Sequence, residues 1–302
     1  MTRRIRPAVA IAVATAFATG AAAQARPADT ARWIVFAAST PDVKVAQLYR
    51  ISSTGDGLRQ LTKGAYPSIT PAFSPNGKRV AFARPGVGLE TMNVDGTGLR
   101  RLTTNPRDGF PVWSPDGKRI AFLRAGRDAW HVWTVSTAGK KPVAHKLKHS
   151  PPSGRPNWTK QAGLLVPSGG DLVRLDPKTG KVVKYYSANI DAVWGMDSTA
   201  VASDVAMIAF LGARDPDPGD MECGEGPCQR FALFVESLKT TKKRPLLLFK
   251  DVGPPGFSPN GKQLVFSAHD RLEIASRSGG PRVGLDTGDA VPALGSPPAW
   301  QP

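Results

Sequence analysis

Apolar and polar residues alternate along many short segments of this 302-residue chain. In one such segment Val80 and Phe82 alternate with Arg79 and Ala81, and a period of two gives each set of side chains its own strand face. Turns rich in glycine, proline and aspartate separate the segments, and no long stretch has the spacing of an amphipathic helix. The pattern predicts an all-β protein built from many short strands.

One phrase precedes such a strand three times. It consists of an aromatic residue, Ser-Pro, Asn or Asp, and Gly-Lys. Proline fixes φ at the second turn position, and glycine takes the left-handed conformation that closes a hairpin. The first two copies begin 40 residues apart, which is the period of a four-stranded propeller blade. The copies are Phe73–Phe82, Trp113–Phe122 and Phe257–Phe266.

The aromatic residue that opens each phrase is an anchor by which blades can be counted. Weaker copies place anchors at Trp158 and Trp194, and Trp300 opens a strand that has no successor. The segment from Trp33 shows the opposite pattern, since it has three strands and no opening one. We therefore predict a six-bladed β-propeller whose last blade is closed by one C-terminal and three N-terminal strands. The anchors are Phe73, Trp113, Trp158, Trp194, Phe257 and Trp300.

The repeat also suggests roles for the recurring side chains. We expect the anchors to form apolar core between neighbouring blades, and not a cage for a ligand. Cations follow each turn with the same periodicity, so we expect them at exposed hairpin positions that form no single site. They are Lys78, Arg79, Lys118, Arg119 and Lys262.

The phrase, followed by Asp-Gly at 95–96 and Leu-Thr at 102–103, resembles the TolB-type, WD-like β-propeller repeat. The resemblance covers the chain from Trp33 onward and implies a six-bladed propeller. The family's namesake is a periplasmic component of an envelope-spanning system and has a small α/β domain before its propeller. We expect no such domain here, because the first strand begins at Trp33. Similar propellers cap prolyl oligopeptidase-type serine peptidases, but we expect no catalytic domain after Trp300.

The N-terminal segment has the pattern of an export signal. Three arginines lie between positions 3 and 6, an uncharged alanine-rich run covers 8–18, and Ala23-Gln24-Ala25 offers small residues for cleavage. We predict a signal peptide over 1–25 and a propeller domain over 26–302. The apolar run is too short for a transmembrane anchor. We expect export to the periplasm or the exterior, by either the general or the twin-arginine route.

The chain is strongly basic, with a formal net charge of +16. This charge favours acidic surfaces such as anionic wall polymers, phospholipid headgroups or an acidic protein, although a generally solvated basic surface would look the same. The cations are not interleaved with aromatic residues in one block, so we do not expect nucleic acid. We expect a monomer that does not span the membrane and that binds an envelope protein or an anionic polymer.

The two cysteines, Cys223 and Cys228, enclose the spacer Gly-Glu-Gly-Pro. An exported chain with an even cysteine count favours a local disulfide. A metal site would need two more ligands, and no histidine lies nearby in the sequence. We predict a disulfide between them.

The chain lacks the sequence motifs of the common hydrolase, metalloprotease and phosphate-binding sites. His145 and His149 would share one face of a strand, where they could bind a metal. Lys146 and Lys148 separate and adjoin them, so we favour a solvated basic loop. We expect no catalytic residue, no metal and no cofactor.

One acidic segment interrupts the repeat, as a loop over about 214–229 that also contains the cysteines. Its carboxylates could collect Ca²⁺, but their spacing is not that of an EF-hand loop, so we favour an exposed acidic loop. It is the first candidate for a specific contact, because it is acidic on a basic protein. The carboxylates are Asp215, Asp217, Asp220, Glu222 and Glu225.

These observations favour a secreted, non-catalytic β-propeller that binds a protein or a polymer in the cell envelope. Rigid blades with variable loops suit binding, whereas a fold alone does not establish an enzyme. The alternative is a carbohydrate-active lyase or hydrolase, which should bring His, Asp or Glu together at one mouth of the central channel. A third possibility, a sensor of a small ligand, would show a closed pocket in the channel.

Overall fold

The computed structural model describes residues 32–302, except for 140, 146, 148–149, 170, 188–198, 204–206, 215–229, 238–242, 249–251 and 294. The described residues form 25 strands and no helix, which confirms the all-β prediction. The predicted signal peptide lies outside the described residues. So do His149, Trp194, both cysteines and all five carboxylates of the acidic segment.

The strands form six antiparallel sheets, and each sheet is one blade of a six-bladed β-propeller. The labels β1 to β25 follow the order of the chain. Blade 1 contains β4 (Ile69–Phe73), β5 (Arg79–Arg84), β6 (Gly88–Asn93) and β7 (Arg100–Arg101). Blade 2 contains β8 (Asp108–Trp113), β9 (Arg119–Ala125), β10 (Trp130–Ser136) and β11 (Val143–His145). Blade 3 contains β12 (Asn157–Thr159), β13 (Gly163–Ser168), β14 (Asp171–Leu175) and β15 (Val182–Ser187).

Blades 4 and 5 repeat the same order from the first strand to the fourth. Blade 4 contains β16 (Thr199–Val201), β17 (Met207–Arg214), β18 (Arg230–Ser237) and β19 (Lys243–Leu248). Blade 5 contains β20 (Gly256–Phe257), β21 (Gln263–Ala268), β22 (Arg271–Ser276) and β23 (Arg282–Leu285). The first strands of successive blades contact one another around the centre of the ring. They are therefore the inner strands, and the fourth strands form the outer edge.

Blade 6 joins the two ends of the described chain. Its N-terminal part contains β1 (Trp33–Ser39), β2 (Gln47–Ser52) and β3 (Arg59–Gln60). The C-terminal part is two short strands on the same edge of β1, namely β24 (Val291–Pro292) and β25 (Ala299–Trp300). The predicted closure is confirmed. Between β24 and β25 the chain leaves the edge of β1, and this connecting segment ends with Pro297 and Pro298.

The predicted anchor at Trp194 is wrong. Blade 4 opens at β16, where Val201 pairs with Ile208 as Phe73 pairs with Val80 in blade 1. The turn agrees, because the Ala202 amide donates to the Met207 carbonyl at 2.9 Å. A valine thus takes the place of the aromatic anchor, and a search for aromatic residues could not find it.

The apolar core consists of six clusters, each between two neighbouring blades. One cluster combines Ala81, Ala83 and Leu89 of blade 1 with Phe122 and Trp113 of blade 2. The recurring phenylalanine of the second strand is fully buried in five blades, and each ring packs against the preceding blade. Burying such a ring contributes about 1.5–3 kcal/mol, so the blades stabilise one another. These rings are Phe36, Phe82, Phe122, Phe210 and Phe266.

Candidate functional site

A cavity of about 520 Å³ lies where the six inner strands meet. All six blades contribute residues to its lining, from the inner strands and from the turns that follow them. Aromatic and proline side chains predominate among these residues. The cavity therefore occupies the central channel, and the turns between the first and second strands surround its mouth.

A serine side chain organises the turn at the mouth in three of the blades. In blade 1 the Ser74 hydroxyl donates to Asn76 Oδ1 at 2.8 Å and accepts the Arg79 amide at 2.9 Å. Gly77 closes the turn with φ of 67°, a left-handed conformation that glycine adopts without strain. Blades 2 and 5 repeat these bonds through Ser114 and Ser258. The repeated phrase thus forms the hairpin that its composition predicts.

The five predicted anchors other than Trp194 lie between neighbouring blades, as predicted, and they also line the cavity. Trp113 is 5% exposed and packs in the cluster between blades 1 and 2. Its indole N–H donates to the Ala72 carbonyl of blade 1 at 3.0 Å. The same residue can therefore hold the ring together and offer an apolar edge to a ligand.

The cations after the turns divide into two groups. Lys78, Lys118 and Lys262 are exposed, as predicted. The two arginines are half-buried, and the guanidinium of each lies over the anchor ring of the next blade. The prediction of exposure is therefore wrong for Arg79 and Arg119, because cation–π contact draws them onto Trp113 and Trp158.

A row of prolines along the inner strands is a feature that the sequence analysis missed. Proline suits an inner strand because the edge that faces the channel has no neighbouring strand to receive an N–H. The signal was present in the chain, since five of the six blades have proline two residues before the anchor position. These residues are Pro71, Pro111, Pro156, Pro255 and Pro298.

Backbone strain accompanies two of these prolines. Thr70 and Phe110, which come just before them, have positive φ angles of 51° and 55°. Their strands show an irregular register at the same place. Such conformations cost of order 1–3 kcal/mol each and cluster at functional sites. Both residues line the cavity.

The charged residues of the described lining are two cations, Arg155 and Lys160. Arg155 comes from blade 3 and donates from Nε to the Thr199 carbonyl at 2.5 Å and from Nη2 to the Pro255 carbonyl at 2.8 Å. It thereby joins the inner ends of blades 3, 4 and 5. No His, Asp or Glu is found among the described lining residues, so these residues do not form the acid–base pair that a lyase or hydrolase would need.

Buried carboxylates occur elsewhere, inside the blades, and each is paired with arginine. Asp108 binds Arg124 through two bonds of 2.5 and 2.9 Å. Glu90 lies 3.2 Å from Arg84, and Glu273 lies 2.5 Å from Arg282. These pairs satisfy charges within single blades and take no part in the cavity.

His145 is not in a solvated loop, which corrects that prediction. It ends the outer strand β11, is 3% exposed, and its Nε2 lies 2.8 Å from Thr134 Oγ1. Burial lowers the pKa of His145 below its ordinary value, and the charge of Arg119 lowers that pKa further while Asp176 opposes the shift. The described residues contain no group of three or more potential metal ligands.

The predicted contact loop and disulfide lie in the connection between β17 and β18, outside the described residues. Its flanking residues, Arg214 and Arg230, are paired in the hairpin. None of the described residues belongs to a helix that could cross a membrane.

Comparison with known proteins supports the fold. The sequence matches no protein-family model and no curated protein. The structure is similar to that of TolB from Acinetobacter baumannii, with 18% identity and a TM-score of 0.66 over 90% of this chain and 67% of that chain. A putative TolB from Agrobacterium tumefaciens gives 15% identity and a TM-score of 0.55 over 85% of this chain and 88% of that chain.

The tricorn protease is a more distant neighbour, with 12% identity and a TM-score of 0.52. The similarity covers 87% of this chain but 30% of that one, so it concerns a part of the larger protein. At these identities the similarities establish the fold alone. The resemblance to the TolB-type propeller is thereby confirmed as a resemblance of fold.

Proposed function

We propose that this protein is an exported, non-catalytic propeller that binds a partner in the cell envelope at the mouth of its central channel. The supporting observation is the cavity lined by aromatic and proline residues from all six blades. Concave sites with a mostly apolar lining and few polar groups are the usual places where proteins bind ligands. Because every blade contributes, a bound partner would contact the whole ring.

The lining indicates the chemistry of the partner. Rigid aromatic and proline surfaces bind extended apolar segments at a low cost in conformational entropy. The charged groups among the described lining residues, Arg155 and Lys160, are both positive. An extended segment of an envelope protein that carries apolar and acidic residues fits this site, and an anionic polymer is the other candidate.

The test is affinity capture from intact envelopes with the chain from Arg26 onward, followed by cross-linking and mass spectrometry. We expect one reproducible partner whose cross-links map to the channel mouth. The variant Lys160→Trp with Ser203→Trp fills the mouth at exposed positions and should abolish capture. Its matched control is Lys178→Trp with Thr179→Trp, two exposed positions in an outer turn. Equal capture by both variants would contradict a channel site.

The acidic segment is a second contact that we propose on the basis of its charge. Replacing 214–229 with a neutral Gly-Ser loop should weaken capture if Asp215, Asp217, Asp220, Glu222 and Glu225 contact the partner.

We also propose the Cys223–Cys228 disulfide, which mass spectrometry after thiol alkylation without reduction would detect. N-terminal sequencing of the exported protein tests cleavage after Ala25. An intact N-terminus would contradict the proposed signal peptide.

A further inference from the structure

Two sets of turns lie on one face of the propeller. In an antiparallel blade, the turn after the first strand and the turn after the third strand are at the same end. Hydrogen bonds join them, as from the Val94 amide to the Lys78 carbonyl at 3.0 Å and from the Thr137 amide to the Lys118 carbonyl at 3.0 Å. We call this surface the turn face, and the channel mouth lies at its centre.

Exposed positive charge is concentrated on the turn face. The exposed aspartates described there are Asp56, Asp95 and Asp116, and all three accept hydrogen bonds within their own turns. The exposed lysines are more numerous and come from several blades. They include Lys78, Lys118, Lys160, Lys178, Lys181 and Lys262.

The opposite face is nearly balanced in charge. Its exposed cations in the described residues are Lys44, Lys63, Arg107 and Arg127, together with Arg271, which is paired with Glu273. Its exposed carboxylates are Asp42, Asp128, Asp270, Asp286 and Asp289. The exposed charge of the described residues is therefore distributed unevenly between the two faces, which a generally solvated basic surface does not require.

The rim of the turn face also exposes aliphatic side chains. Leu99, Val143 and Val183 are 52%, 54% and 55% exposed, and Leu58 and Val283 are 38% exposed. Each lies near the start of an outer strand, next to the turn face. In all five of these blades a cation lies within two residues, as Arg100 does beside Leu99. The opposite face exposes Val43, Tyr66 and Val291 at unrelated positions of the repeat.

We propose that the turn face docks on the surface of an anionic lipid bilayer. Lysine side chains around the channel mouth would lie among the headgroups, and the aliphatic residues of the rim would insert shallowly between them. Cations beside exposed aliphatic residues are the combination by which peripheral proteins bind anionic membranes. A soluble polyanion would engage the lysines and would leave the aliphatic rim in water, so the rim favours the bilayer.

Docking in this orientation points the channel mouth toward the membrane. The inference does not depend on the channel having a partner, because the lysines and the rim lie outside the cavity lining, apart from Lys160. The two proposals can therefore fail separately.

The experiment is flotation of the chain from Arg26 onward, which contains the whole compact unit Ala31–Pro302, with phospholipid vesicles. We expect binding to vesicles with about 30 mol% phosphatidylglycerol and none to pure phosphatidylcholine. The triple variant Lys78→Gln, Lys118→Gln, Lys262→Gln should bind about a hundredfold more weakly at low salt. The matched control on the opposite face, Lys44→Gln, Lys63→Gln, Arg107→Gln, removes the same charge and should bind nearly as the unaltered protein does.

The variant Leu99→Asn with Val183→Asn tests the rim. We expect it to weaken vesicle binding about tenfold without changing the affinity for soluble polyphosphate. Val43→Asn with Val291→Asn is its control. Equal losses in the two triple variants would reduce the effect to net charge and overturn the proposal. The rim variant could instead bind vesicles as tightly as the unaltered protein does, while the unaltered protein binds polyphosphate as tightly as it binds vesicles. This result would assign the turn face to a soluble polymer and overturn the proposal. Absence of binding to the anionic vesicles would also overturn the proposal. The variant Lys160→Trp with Ser203→Trp, which fills the channel mouth, should still bind these vesicles.

Discussion

Blade 1 and blade 4 have the same order of four strands, but only blade 1 has the full turn phrase. In blade 1 the Ser74 hydroxyl donates to Asn76 Oδ1 and accepts the Arg79 amide. Blade 4 has Ala202 at this position, which has no hydroxyl, and among its described residues the backbone bond of the turn is present and is 2.9 Å long, as in blade 1. The hairpin can therefore form without the serine.

The difference shows which interactions define a blade. Val201 and Phe210 of blade 4 pack with Leu165 and Leu172 of blade 3, just as Phe73 and Phe82 of blade 1 pack with blade 6. Packing between blades is common to both, whereas the side-chain bonds of the turn are not. We infer that the turn phrase adds local stability to a geometry that the neighbouring blades already impose.

The largest expected effect comes from opening the ring on which both blades depend. Deleting 295–302 removes β25, which pairs with β1, and Gln301, whose amide donates to the Trp33 carbonyl at 2.8 Å. We expect a loss of at least about 4 kcal/mol, comparable with the loss of a large buried aromatic side chain. Urea unfolding measures it, with deletion of Pro302 alone as the control. Unchanged unfolding would rule out closure by the C-terminal strand.

The next effect compares the anchor of blade 1, Phe73, with the anchor of blade 4, Val201. Phe73→Ala should cost about 3–5 kcal/mol and Val201→Ala about 2 kcal/mol, because both leave a cavity between blades but the valine is smaller. Phe73→Leu is the control and should lose less than half as much as Phe73→Ala. Chemical denaturation gives these values. A neutral Val201→Ala would show that Val201 is not the anchor of blade 4.

A smaller effect concerns the turns. Ser74→Ala removes the hydroxyl that organises the turn of blade 1, and we expect a loss of about 1 kcal/mol. The reciprocal change Ala202→Ser in blade 4 should stay within about 0.5 kcal/mol. Thermal unfolding of the two variants compares them. A loss from Ser74→Ala as large as that from Phe73→Ala would mean that the turns define the blades as much as the packing does.

The smallest effect is a pH dependence in the outer strand of blade 2. Burial, the first cause, and Arg119 lower the pKa of His145 below its ordinary value of 6.5. The folded state therefore favours the neutral imidazole. Its contribution to stability is complete above pH 6.5 and is lost as the pH falls through the folded-state pKa. Unfolding free energies between pH 5 and 8 should show this decline, and His145→Gln should flatten it. A slope that persists in the variant would assign it to other groups.

Much of the fold could be predicted from local sequence. The alternation of Val80 and Phe82 with Arg79 and Ala81 and the Ser-Pro-Asn-Gly turn act over a few residues, so the sequence displays them directly. Trp300 at one end opens a strand that has no successor, and the segment from Trp33 at the other end has three strands but no opening one. Together they predicted the closure of blade 6. Val201 was missed because an anchor needs only an apolar surface that suits its neighbour in the next blade.

The candidate site was less accessible from sequence. The prolines of the inner strands have a fixed place in the repeat, but their importance depends on the channel edge that they face. Arg155 was not predicted, because its partner carbonyl at Pro255 is 100 residues away along the chain. The uneven distribution of lysines also becomes visible only when the turns are assigned to one face.

The sequence by itself determined the strand pattern, the turn chemistry and the number of blades, because each depends on residues within one repeat. The tertiary structure decided which residue anchors blade 4, which arginines lie over aromatic rings and which residues surround the channel. It also separated the basic turn face from the nearly balanced opposite face. The physical reason is that packing between blades and charge on a surface depend on residues that are distant in the chain and adjacent only in the closed ring.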